Sequence, residues 1–481
     1  MSVHVRIPTP LRGCTEENAV VEASGANVGA VLEAAFVRYP ALRERVLDGE
    51  GHVHQFVNLF VNGDDVRFDG GLGALVSDGD ELTIVPAIAG GSTGFPTLAA
   101  ESELTHDEIL RYSRHVILPE VTMAGQRRLK GGRVLLIGVG GLGSPAALYL
   151  AAAGVGKLGL VDFDTVDATN LQRQILHDTH AVGHSKLDSA VARLSALNPC
   201  IDIETYEEPF TSDNALDILA HYDVVLDGTD NFPTRYLTND AAYLAGKPNV
   251  YGSIFRFEGQ ASVFWPDRGP CYRCLYPSPP PPGMVPSCAE GGVLGVLPGV
   301  IGCLQATEVI KILLGVGKPL VGRLLTYDAL QMRFGMLTLR QDPACPLCGP
   351  SATIDHLEDL VLSCDVPVNA DEADDAIVDI EPAAVVQRLA AGESLKILDV
   401  REEHEAEICR IDSARLIPLR SLEAHLADLD PTVTYVVHCK SGKRSRQAID
   451  QLRAAGFAHL YNLRGGILAW ADQVDPTLAR Y

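Results

Sequence analysis

The sequence predicts an α/β protein built from several domains, and three observations support this fold class. The chain has 481 residues, of which 47% are hydrophobic, enough for roughly three cores at about 100 to 200 residues per domain. Two long segments alternate apolar strands with helical patterns, an order typical of parallel sheets. A shorter first segment mixes strands with one helix. We predict domains at 1–91, 105–350 and 377–481, joined by linkers at 92–104 and 351–376.

The charge and hydrophobicity of the sequence argue against nucleic acids and membranes as partners. Lys and Arg number 39 against 62 Asp and Glu, and the formal charge of -23 argues against the nucleic-acid backbone as a main partner. The longest nearly uncharged apolar run, 291–306, is short of a membrane span and contains Gly and Pro, and the N-terminus lacks a signal-peptide core. We therefore expect a cytoplasmic protein that has no membrane or nucleic-acid partner.

The first 91 residues predict a small α+β domain. A strand "VHVRIP" is followed by a helical segment "NVGAVLEAAFVRYP" and by a β-rich pair that turns at Asn62 and Gly63. A last strand, "ELTIVPAIA", leads to Gly90 and Gly91. The next residues are rich in Ser, Thr, Gly and Pro, and Thr105 with Glu108 forms a capping-box pattern that predicts the first helix of a new domain.

The second domain opens with a glycine-rich turn. An apolar strand runs into Gly138, Gly140 and Gly143 in G-x-G-x-x-G spacing, and a helix and a second strand follow, ending at Asp162. Such glycines allow a tight turn and the close approach of a phosphate to the helix N-terminus, and Asp162 can accept hydrogen bonds from a ribose. This pattern predicts a Rossmann-like nucleotide-binding fold and by itself favours NAD. The alternative is that the glycines serve only helix–strand packing.

The residues that follow favour phosphate chemistry over hydride transfer. Asn170 and Arg173 lie in "TNLQRQ", Lys186 lies in "GHSKLDSA", and the strand of "VVLDGTDN" delivers Asp230 and Asn231 to its carboxyl end. An enzyme that cleaves ATP between the α and β phosphates needs cations on the triphosphate and a carboxylate for magnesium. Each cation alone is more often a solvated surface charge, so the prediction depends on their joint order.

Two C-x-x-C pairs predict a metal site. Cys271 and Cys274 lie in "CYRC", and Cys345 and Cys348 lie in "CPLC", about 70 residues further on. Four thiolates complete a closed tetrahedral zinc site, which is structural rather than catalytic. A redox pair is the weaker alternative, because redox C-x-x-C motifs usually occur singly near a helix start.

Between these pairs lies a proline-rich segment that ends at Cys288. Four consecutive prolines at 279–282 favour an extended arm that passes over a site rather than one packed in a core. Cys288 either takes part in covalent chemistry or simply starts a helix.

The third domain predicts a reactive cysteine. Cys439 follows the apolar strand of "YVVHCKSGKRSRQAIDQL", and Lys440, Lys443 and Arg444 come within the next five residues, before a helix. Backbone N–H groups, the helix N-terminus and the three cations all favour thiolate over thiol. Structural burial of Cys439 is the alternative.

The middle domain resembles the molybdopterin-synthase adenylyltransferases of the ubiquitin-activating-enzyme superfamily. The resemblance covers about 105–350 and rests on "RYSRHVILPE", "GVGGLGSP", "DFDTVDATNLQRQ", "DGTDNFPTRY" and "EGQASVF". It implies magnesium at Asp230 and an ATP site made of Gly141, Asp162, Asn170, Arg173 and Lys186. It also implies a homodimer in which Arg114 reaches the triphosphate bound by the partner subunit, and a cysteine at Cys288 that can bond the protein substrate.

The segment from about 377 to 475 resembles a single rhodanese domain, on "LDVREEHEAEICRID", the cysteine loop and "LRGGILAW". The resemblance implies that Cys439 carries a persulfide sulfur. Cysteine phosphatases have a similar loop of the form C-x5-R, whereas Arg444 here makes C-x4-R, and the shorter loop favours sulfur over phosphate.

The first 91 residues resemble a ubiquitin-like, β-grasp sulfur carrier that ends in Gly-Gly. Only glycine lets a chain end enter a narrow channel without side-chain clashes, so Gly90 and Gly91 fit a tail that is activated at its carboxylate. Gly91 is followed by Ser92, however, so that the pair is either a hinge or a tail that a separate metalloprotease must free.

Together, these features predict an enzyme that adenylates a diglycine carboxylate with ATP and converts it to a thiocarboxylate with sulfur from Cys439. The carrier is the chain's own first domain after cleavage or a separate protein, and a sulfur donor is a further partner. Cysteine, molybdopterin and thiamine biosynthesis are all compatible with this chemistry. An NAD-dependent oxidoreductase and a non-catalytic nucleotide-binding scaffold are the alternatives.

Overall fold

The computed structural model describes residues 2–54, 57–86, 98–280, 291–360 and 377–481. The chain forms two compact units, Met1–Leu362 and Ser363–Tyr481, which are considered separately below. Gly90, Gly91 and Cys288 lie outside the described residues.

The first unit contains a five-stranded mixed sheet near its N-terminus, in the order β2-β1-β5-β3-β4. Asn62 and Gly63 adopt positive φ values of 51° and 94°, as a two-residue hairpin turn requires, and the turn joins β3 to β4 as predicted. The Asn27 side chain caps α1 by accepting a hydrogen bond from the Ala30 N–H. The elements are β1 Ser2–Arg6, β2 Val20–Ser24, α1 Val28–Arg38, α2 Pro40–Val46, β3 Val57–Val61, β4 Asp64–Asp65 and β5 Glu81–Pro86.

The same unit contains an eight-stranded sheet in the order β13-β12-β11-β10-β9-β6-β7-β8. Neighbouring strands from β10 to β8 are parallel, whereas β11, β12 and β13 extend the sheet in antiparallel fashion. Its strands are β6 Arg133–Ile137, β7 Lys157–Val161, β8 Asp202–Tyr206, β9 Val224–Asp227, β10 Asn249–Phe255, β11 Glu258–Phe264, β12 Arg323–Asp328 and β13 Arg333–Thr338.

Helices cover this sheet and complete a core of buried aliphatic side chains. The predicted capping box is present, because Thr105 and Glu108 exchange side-chain to backbone hydrogen bonds at the start of α3. The helices are α3 His106–Arg111, α4 Ser113–Val116, α5 Thr122–Gly131, α6 Gly143–Ala153, α7 Lys186–Leu197, α8 Ala215–Leu219, α9 Phe232–Leu244, α10 Tyr272–Leu275 and α11 Leu297–Leu314.

Helix α11 is, within the described residues, the one helix whose length and composition would allow it to cross a membrane. It packs against α6, β10 and β11, and 61% of it is buried within the unit. Its side chains Val309, Ile312 and Leu313 belong to the core of the sheet. These contacts are those of a core helix.

The second unit is a five-stranded, all-parallel sheet in the order β14-β18-β17-β15-β16. The apolar strand that the sequence predicted before Cys439 is present as β17, which is central and buried in the sheet. The elements are β14 Val378–Ile380, α12 Pro382–Ala390, β15 Leu395–Asp399, α13 Glu403–Ile408, β16 Ala414–Leu416, β17 Thr434–His438, α14 Lys443–Ala454, β18 Leu460–Leu463 and α15 Gly466–Gln473.

Candidate active sites

The glycine turn lies at the point of the parallel sheet where the order of the strands reverses. Strand β6 pairs with β7 on one side and with β9 on the other, so their carboxyl ends meet at one edge. In open α/β sheets this switch point is the usual position of a ligand crevice. Gly138 has a φ of 89°, and a Cβ on Gly143 would lie 2.0 Å from the Gly138 carbonyl oxygen. Both positions therefore require glycine to let α6 start so close to β6.

Asp162 at the end of β7 holds the glycine turn from the side. One carboxylate oxygen accepts the Val139 N–H at 3.0 Å, and the other accepts the Asp164 N–H at 3.0 Å. Asp162 thus already fixes the loop backbone, and its lone pairs beyond these two bonds are what a ribose would use.

The predicted nucleotide-binding residues after β7 occupy a short 3-10 helix and the loop behind it. Asn170 ends the helix Ala168–Asn170 and caps its start by accepting the Asp167 N–H. A Cβ on Gly141 would lie 3.9 Å from the Arg173 side chain, which places Arg173 beside the glycine turn. Asn170 and Arg173 are therefore held by local backbone contacts next to the crevice.

Lys186 lies at the start of α7 and is almost completely buried. Its ammonium group contacts one carboxylate oxygen of Asp164 at 2.7 Å. Asp164 belongs to the motif "DFD" but was not among the predicted site residues. A buried ammonium held by a half-exposed carboxylate is well placed to exchange that partner for a phosphate oxygen.

The turn from β9 to α9 presents Asp230 and Asn231. Asp230 is exposed, and Asn231 caps α9 by accepting the Thr234 N–H at 2.9 Å. Beneath the turn, Asp227 accepts hydrogen bonds from the backbone and hydroxyl of Thr229, and Arg235 donates to the Thr229 carbonyl at 2.7 Å. Asp227 and Arg235 thus clamp the backbone that carries Asp230.

The Asp227–Arg235 pair was not predicted, although both residues lie inside the motif "DGTDNFPTRY". Asp227 is completely buried, and burial raises the pKa of its carboxyl even though Arg235 opposes the shift. The Arg235 Nε and the Asp227 Oδ2 are 3.5 Å apart, too far for a strong hydrogen bond. Spacing along the chain gives no indication that these side chains face each other.

Within the described residues, no contact joins Arg114 to the other predicted nucleotide-binding residues. It lies exposed on α4 and makes no hydrogen bond or ion pair within the part of the chain that the structure describes. Its predicted contact with the triphosphate of a partner subunit stays a prediction.

The four predicted metal-ligating cysteines converge. The sulfur atoms of Cys271, Cys274, Cys345 and Cys348 lie within 4.8 Å of one another. Tetrahedral zinc–thiolate bonds of about 2.3 Å place ligand sulfurs about 3.8 Å apart, so the donor set fits zinc. Burial raises the pKa of the Cys274 thiol to about 12 and also raises that of Cys271, so a bound cation would be needed to hold these two as thiolates. At Cys345 burial is outweighed by hydrogen bonds, which lower its pKa.

Helix α9 connects this cysteine cluster to the nucleotide crevice. Near the end of α9, Asn239 accepts the Tyr272 N–H at 2.8 Å and Asp240 forms a buried ion pair with Arg273 at 2.6 Å. Tyr272 and Arg273 are the two residues between Cys271 and Cys274. The helix that starts beside Asp230 therefore ends on the C-x-x-C turn.

In the second unit, Cys439 lies at the carboxyl end of the central strand β17 and only 1% of it is exposed. Its sulfur accepts the Gly442 N–H at 3.2 Å, and the Ser445 hydroxyl oxygen is 3.6 Å away. Gly442 has a φ of 97° and directly precedes α14. The loop thus directs the Gly442 N–H at the sulfur, a contact that favours negative charge on that atom.

The predicted cations of the loop each have a partner. Lys440 Nζ lies 4.7 Å from the centre of the Tyr481 ring, and Lys443 begins α14 and also has an interaction partner. Arg444 donates two hydrogen bonds to Glu405, at 2.6 and 2.7 Å. Glu405 and Tyr481 were not predicted as site residues, because they lie 39 and 37 residues from Arg444 along the chain.

Three family models match successive parts of the chain. Residues 5–91 match the ThiS family, residues 112–347 match the ThiF family, and residues 381–473 match the rhodanese-like domain.

The curated relatives align over most of the chain. The protein is 49% identical over 399 residues to "Probable adenylyltransferase/sulfurtransferase MoeZ" of Mycobacterium tuberculosis, covering 81% of this chain and 100% of MoeZ. It is 41% identical to "Adenylyltransferase and sulfurtransferase MOCS3" of Mus musculus, covering 80% of this chain and 90% of MOCS3. A "Sulfur carrier protein adenylyltransferase" of Thermus thermophilus is 54% identical over 54% of this chain and 98% of that protein.

A solved structure of E. coli MccB with MccA-N7isoASN aligns with a TM-score of 0.45 and 22% identity, over 50% of this chain and 74% of MccB. The relatives from Mycobacterium and Mus cover 81% and 80% of this chain. The chain therefore belongs to the family of ThiF-type adenylyltransferase/sulfurtransferases that carry a rhodanese-like domain, and residues 5–91 add a ThiS-type domain to it.

Proposed function

We propose that the protein activates the C-terminal Gly-Gly carboxylate of a ubiquitin-like sulfur carrier with ATP and converts it to a thiocarboxylate with sulfur carried on Cys439. One observation carries the proposal: the glycine turn, the Asp164–Lys186 contact and the exposed Asp230 follow the carboxyl ends of three neighbouring parallel strands. The same chain holds a buried cysteine whose sulfur accepts a backbone N–H. The names of the relatives from Mycobacterium and Mus support the pairing of both activities.

In the first step the nucleotide lies along the crevice, bound by Gly138, Gly140, Gly141, Gly143, Asp162, Asn170, Arg173, Lys186 and Asn231. A carboxylate oxygen of the carrier attacks the α phosphorus of ATP, and pyrophosphate leaves. Lys186 exchanges Asp164 for phosphate oxygens, and Arg173 adds a second positive charge. Asp230 would hold magnesium, which would supply positive charge to offset that of the departing pyrophosphate. Arg114 of a second subunit completes the site in a homodimer.

In the second step Cys439 delivers sulfur. Its thiolate takes the terminal sulfur from a persulfide donor, and the donor leaves as a thiolate. The resulting persulfide attacks the acyl carbon, AMP leaves, and an acyl disulfide remains. A thiolate then attacks the Cys439 sulfur and releases the thiocarboxylate. Cys288 is our candidate for this thiol, and the Cys288–Cys439 disulfide so formed is reduced by an external dithiol.

The zinc site is structural in this scheme. The four cysteines close the coordination sphere, and no ligand position is left for a substrate. Zinc would hold the C-x-x-C turn against α9.

The carrier is the ThiS-type domain of this chain after cleavage behind Gly91, or a separately encoded carrier. The relative named as a sulfur carrier protein adenylyltransferase supports a protein substrate. The thiocarboxylate serves cysteine, molybdopterin or thiamine biosynthesis in the cytoplasm. The alternatives, an NAD-dependent oxidoreductase and a non-catalytic scaffold, each leave the cysteine loop without a role.

The test is carrier-dependent exchange of labelled pyrophosphate into ATP. Asp230→Ala should reduce exchange by at least about 100-fold, because the metal loses its carboxylate, whereas the exposed Asp217→Ala on α8 should leave it unchanged. Cys439→Ala should keep exchange and abolish formation of the thiocarboxylate, measured by mass spectrometry of the carrier. Exchange at the wild-type rate in Asp230→Ala would remove Asp230 from the site, and NAD binding without exchange would favour the oxidoreductase.

A further inference from the structure

Arg444, the arginine of the cysteine loop, forms a bidentate ion pair with one carboxylate. Both terminal nitrogens of its guanidinium bind Glu405, one to each oxygen, at 2.6 and 2.7 Å. The Glu405 side chain is 9% exposed and that of Arg444 is 27% exposed, so water screens this pair poorly. Arg444 is therefore not an isolated positive charge beside Cys439.

Glu405 is held in place by further donors. Its Oε1 also accepts the Tyr481 hydroxyl at 3.1 Å, and its Oε2 also accepts the Glu402 N–H at 3.0 Å. Arg401, itself completely buried against Asp399, donates to the Tyr481 oxygen at 2.8 Å. Each carboxylate oxygen thus has two partners, a set that favours the ionised form.

The shortest hydrogen bond described to the sulfur of Cys439 comes from a backbone N–H. Gly442 N–H points at it, whereas the single Ser445 hydroxyl proton is committed to Asn462 at 2.6 Å. The nearby charges therefore matter for the thiolate. Among the described residues, the ionisable groups around the cysteine loop include His438, Lys440, Lys443, Arg444, Glu405, Tyr481, Asp399 and Arg401.

Charge and nucleophilicity oppose each other at a sulfur atom. Positive charge nearby increases the thiolate fraction, but a more strongly stabilised thiolate is a weaker nucleophile. A sulfur-transfer cysteine needs both properties.

We propose that Glu405 is a positioning residue that cancels the charge of Arg444 beside Cys439, and so preserves the nucleophilicity of the sulfur while Arg444 still shapes the loop. The link to sulfur transfer rests on the proposed function. The effect on thiol reactivity does not, because it depends only on the contacts described above.

The test is the pH dependence of Cys439 alkylation by iodoacetamide in the full-length protein, followed on the Cys439 peptide by mass spectrometry. Glu405→Gln should shift the midpoint to lower pH, giving about threefold faster alkylation on the acid side, because the charge of Arg444 is uncovered. Arg444→Gln should shift the midpoint to higher pH, and the double variant should return close to wild type. Glu403→Gln, an exposed change of equal charge on α13, is the matched control and should have no effect.

A second readout uses thiosulfate, whose outer sulfur the thiolate takes while sulfite leaves. In Glu405→Gln the KM for this dianion should fall and kcat should fall with it, because the anion binds better and the sulfur attacks more slowly. A merely structural role for Glu405 would not lower KM.

An unchanged alkylation midpoint in Glu405→Gln overturns the proposal. If that variant does not fold, the comparison of Arg444→Gln with the double variant makes the same test, since it also removes only the Glu405 charge. The double variant must then have the lower midpoint, and equal midpoints overturn the proposal. If the variants shift the midpoint of Cys439 alkylation but the wild type shows no sulfur transfer, the proposed function alone is rejected.

Discussion

At the scale of single residues, the nucleotide crevice depends on backbone approaches that tolerate no extra carbon. Gly140 and Gly143 lie in the same turn, yet their surroundings differ. A Cβ on Gly143 would be 2.0 Å from a carbonyl oxygen, whereas a Cβ on Gly140 would meet only the end of the Gln174 side chain at 3.4 Å. Backbone cannot move aside as a glutamine amide can.

Gly143→Ala should therefore destabilise the first unit by about 3 kcal/mol or more, because α6 would have to shift away from β6. Gly140→Ala should cost less than about 1 kcal/mol. Amide hydrogen exchange in β6 and α6 of the full chain measures both. Similar protection in the two variants would contradict the close approach of Gly143 to Gly138.

At the scale of elements, the sequence predicted the starts of helices and the turns, but it did not predict the contacts between elements. Thr105 with Glu108, and Asn62 with Gly63, act within a few residues of backbone, so their patterns predicted the helix start and the hairpin. The C-x-x-C pairs were found because zinc chemistry imposes their spacing.

The missing parts of the sites are pairs that only the folded sheets bring together. Asp227 meets Arg235 because β9 and α9 fold back on each other, and Glu405 meets Arg444 because α13 and α14 pack near the same strand ends. The glycine turn and the cysteine loop could be predicted. The ion pair beneath the β9–α9 turn and the ion pair of Arg444 in the cysteine loop could not be predicted, since no short-range pattern encodes them.

Helix α9 gives a prediction at this scale, because it begins two residues after Asp230, the predicted magnesium ligand, and its second half contacts the C-x-x-C turn. Arg273→Met leaves Asp240 buried without its partner and should destabilise the end of α9 by about 3 kcal/mol. The exposed Arg193→Met on α7 is the control, with an expected change below about 0.5 kcal/mol. Amide exchange along α9 measures the difference. Unchanged protection in Arg273→Met would show that the ion pair does not hold the helix.

At the scale of the whole molecule, each sheet has its own hydrophobic core. The buried side chains around β1–β5 all come from residues 3–84, and those of the second unit come from residues 380–471. A chain with separate cores can lose one domain, by cleavage in a linker, without unfolding the others. This independence is what a releasable carrier domain would need.

If the ThiS-type domain is a substrate of its own chain, the Gly91–Ser92 bond must be cut, because an internal peptide has no carboxylate to activate. We expect lysate of the native host to contain an N-terminal fragment whose mass ends at Gly91. Gly91→Val should suppress it, since the branched side chain blocks a protease groove that accepts Gly-Gly. Ser92→Ala is the control and should permit cleavage. Detection of the full-length chain alone, while the pathway is active, would leave a separate carrier as the substrate.

The contact between Glu405 and Arg444 also makes the folding of the second unit a proton-linked equilibrium. Although burial by itself would raise it, the pKa of Glu405 is lowered from 4.5 to about 2, because Arg444 and the Glu402 N–H bind its ionised form. The stabilisation is therefore complete above about pH 4.5 and disappears as the pH falls toward 2, and the shift corresponds to roughly 3 kcal/mol. The stability difference between the wild type and Glu405→Gln, measured by amide exchange in α14, should shrink over that interval. If this stability difference is the same at pH 5 and at pH 3, protons do not compete with Arg444 for the Glu405 carboxylate. Acid would then not release Arg444 of the cysteine loop from Glu405.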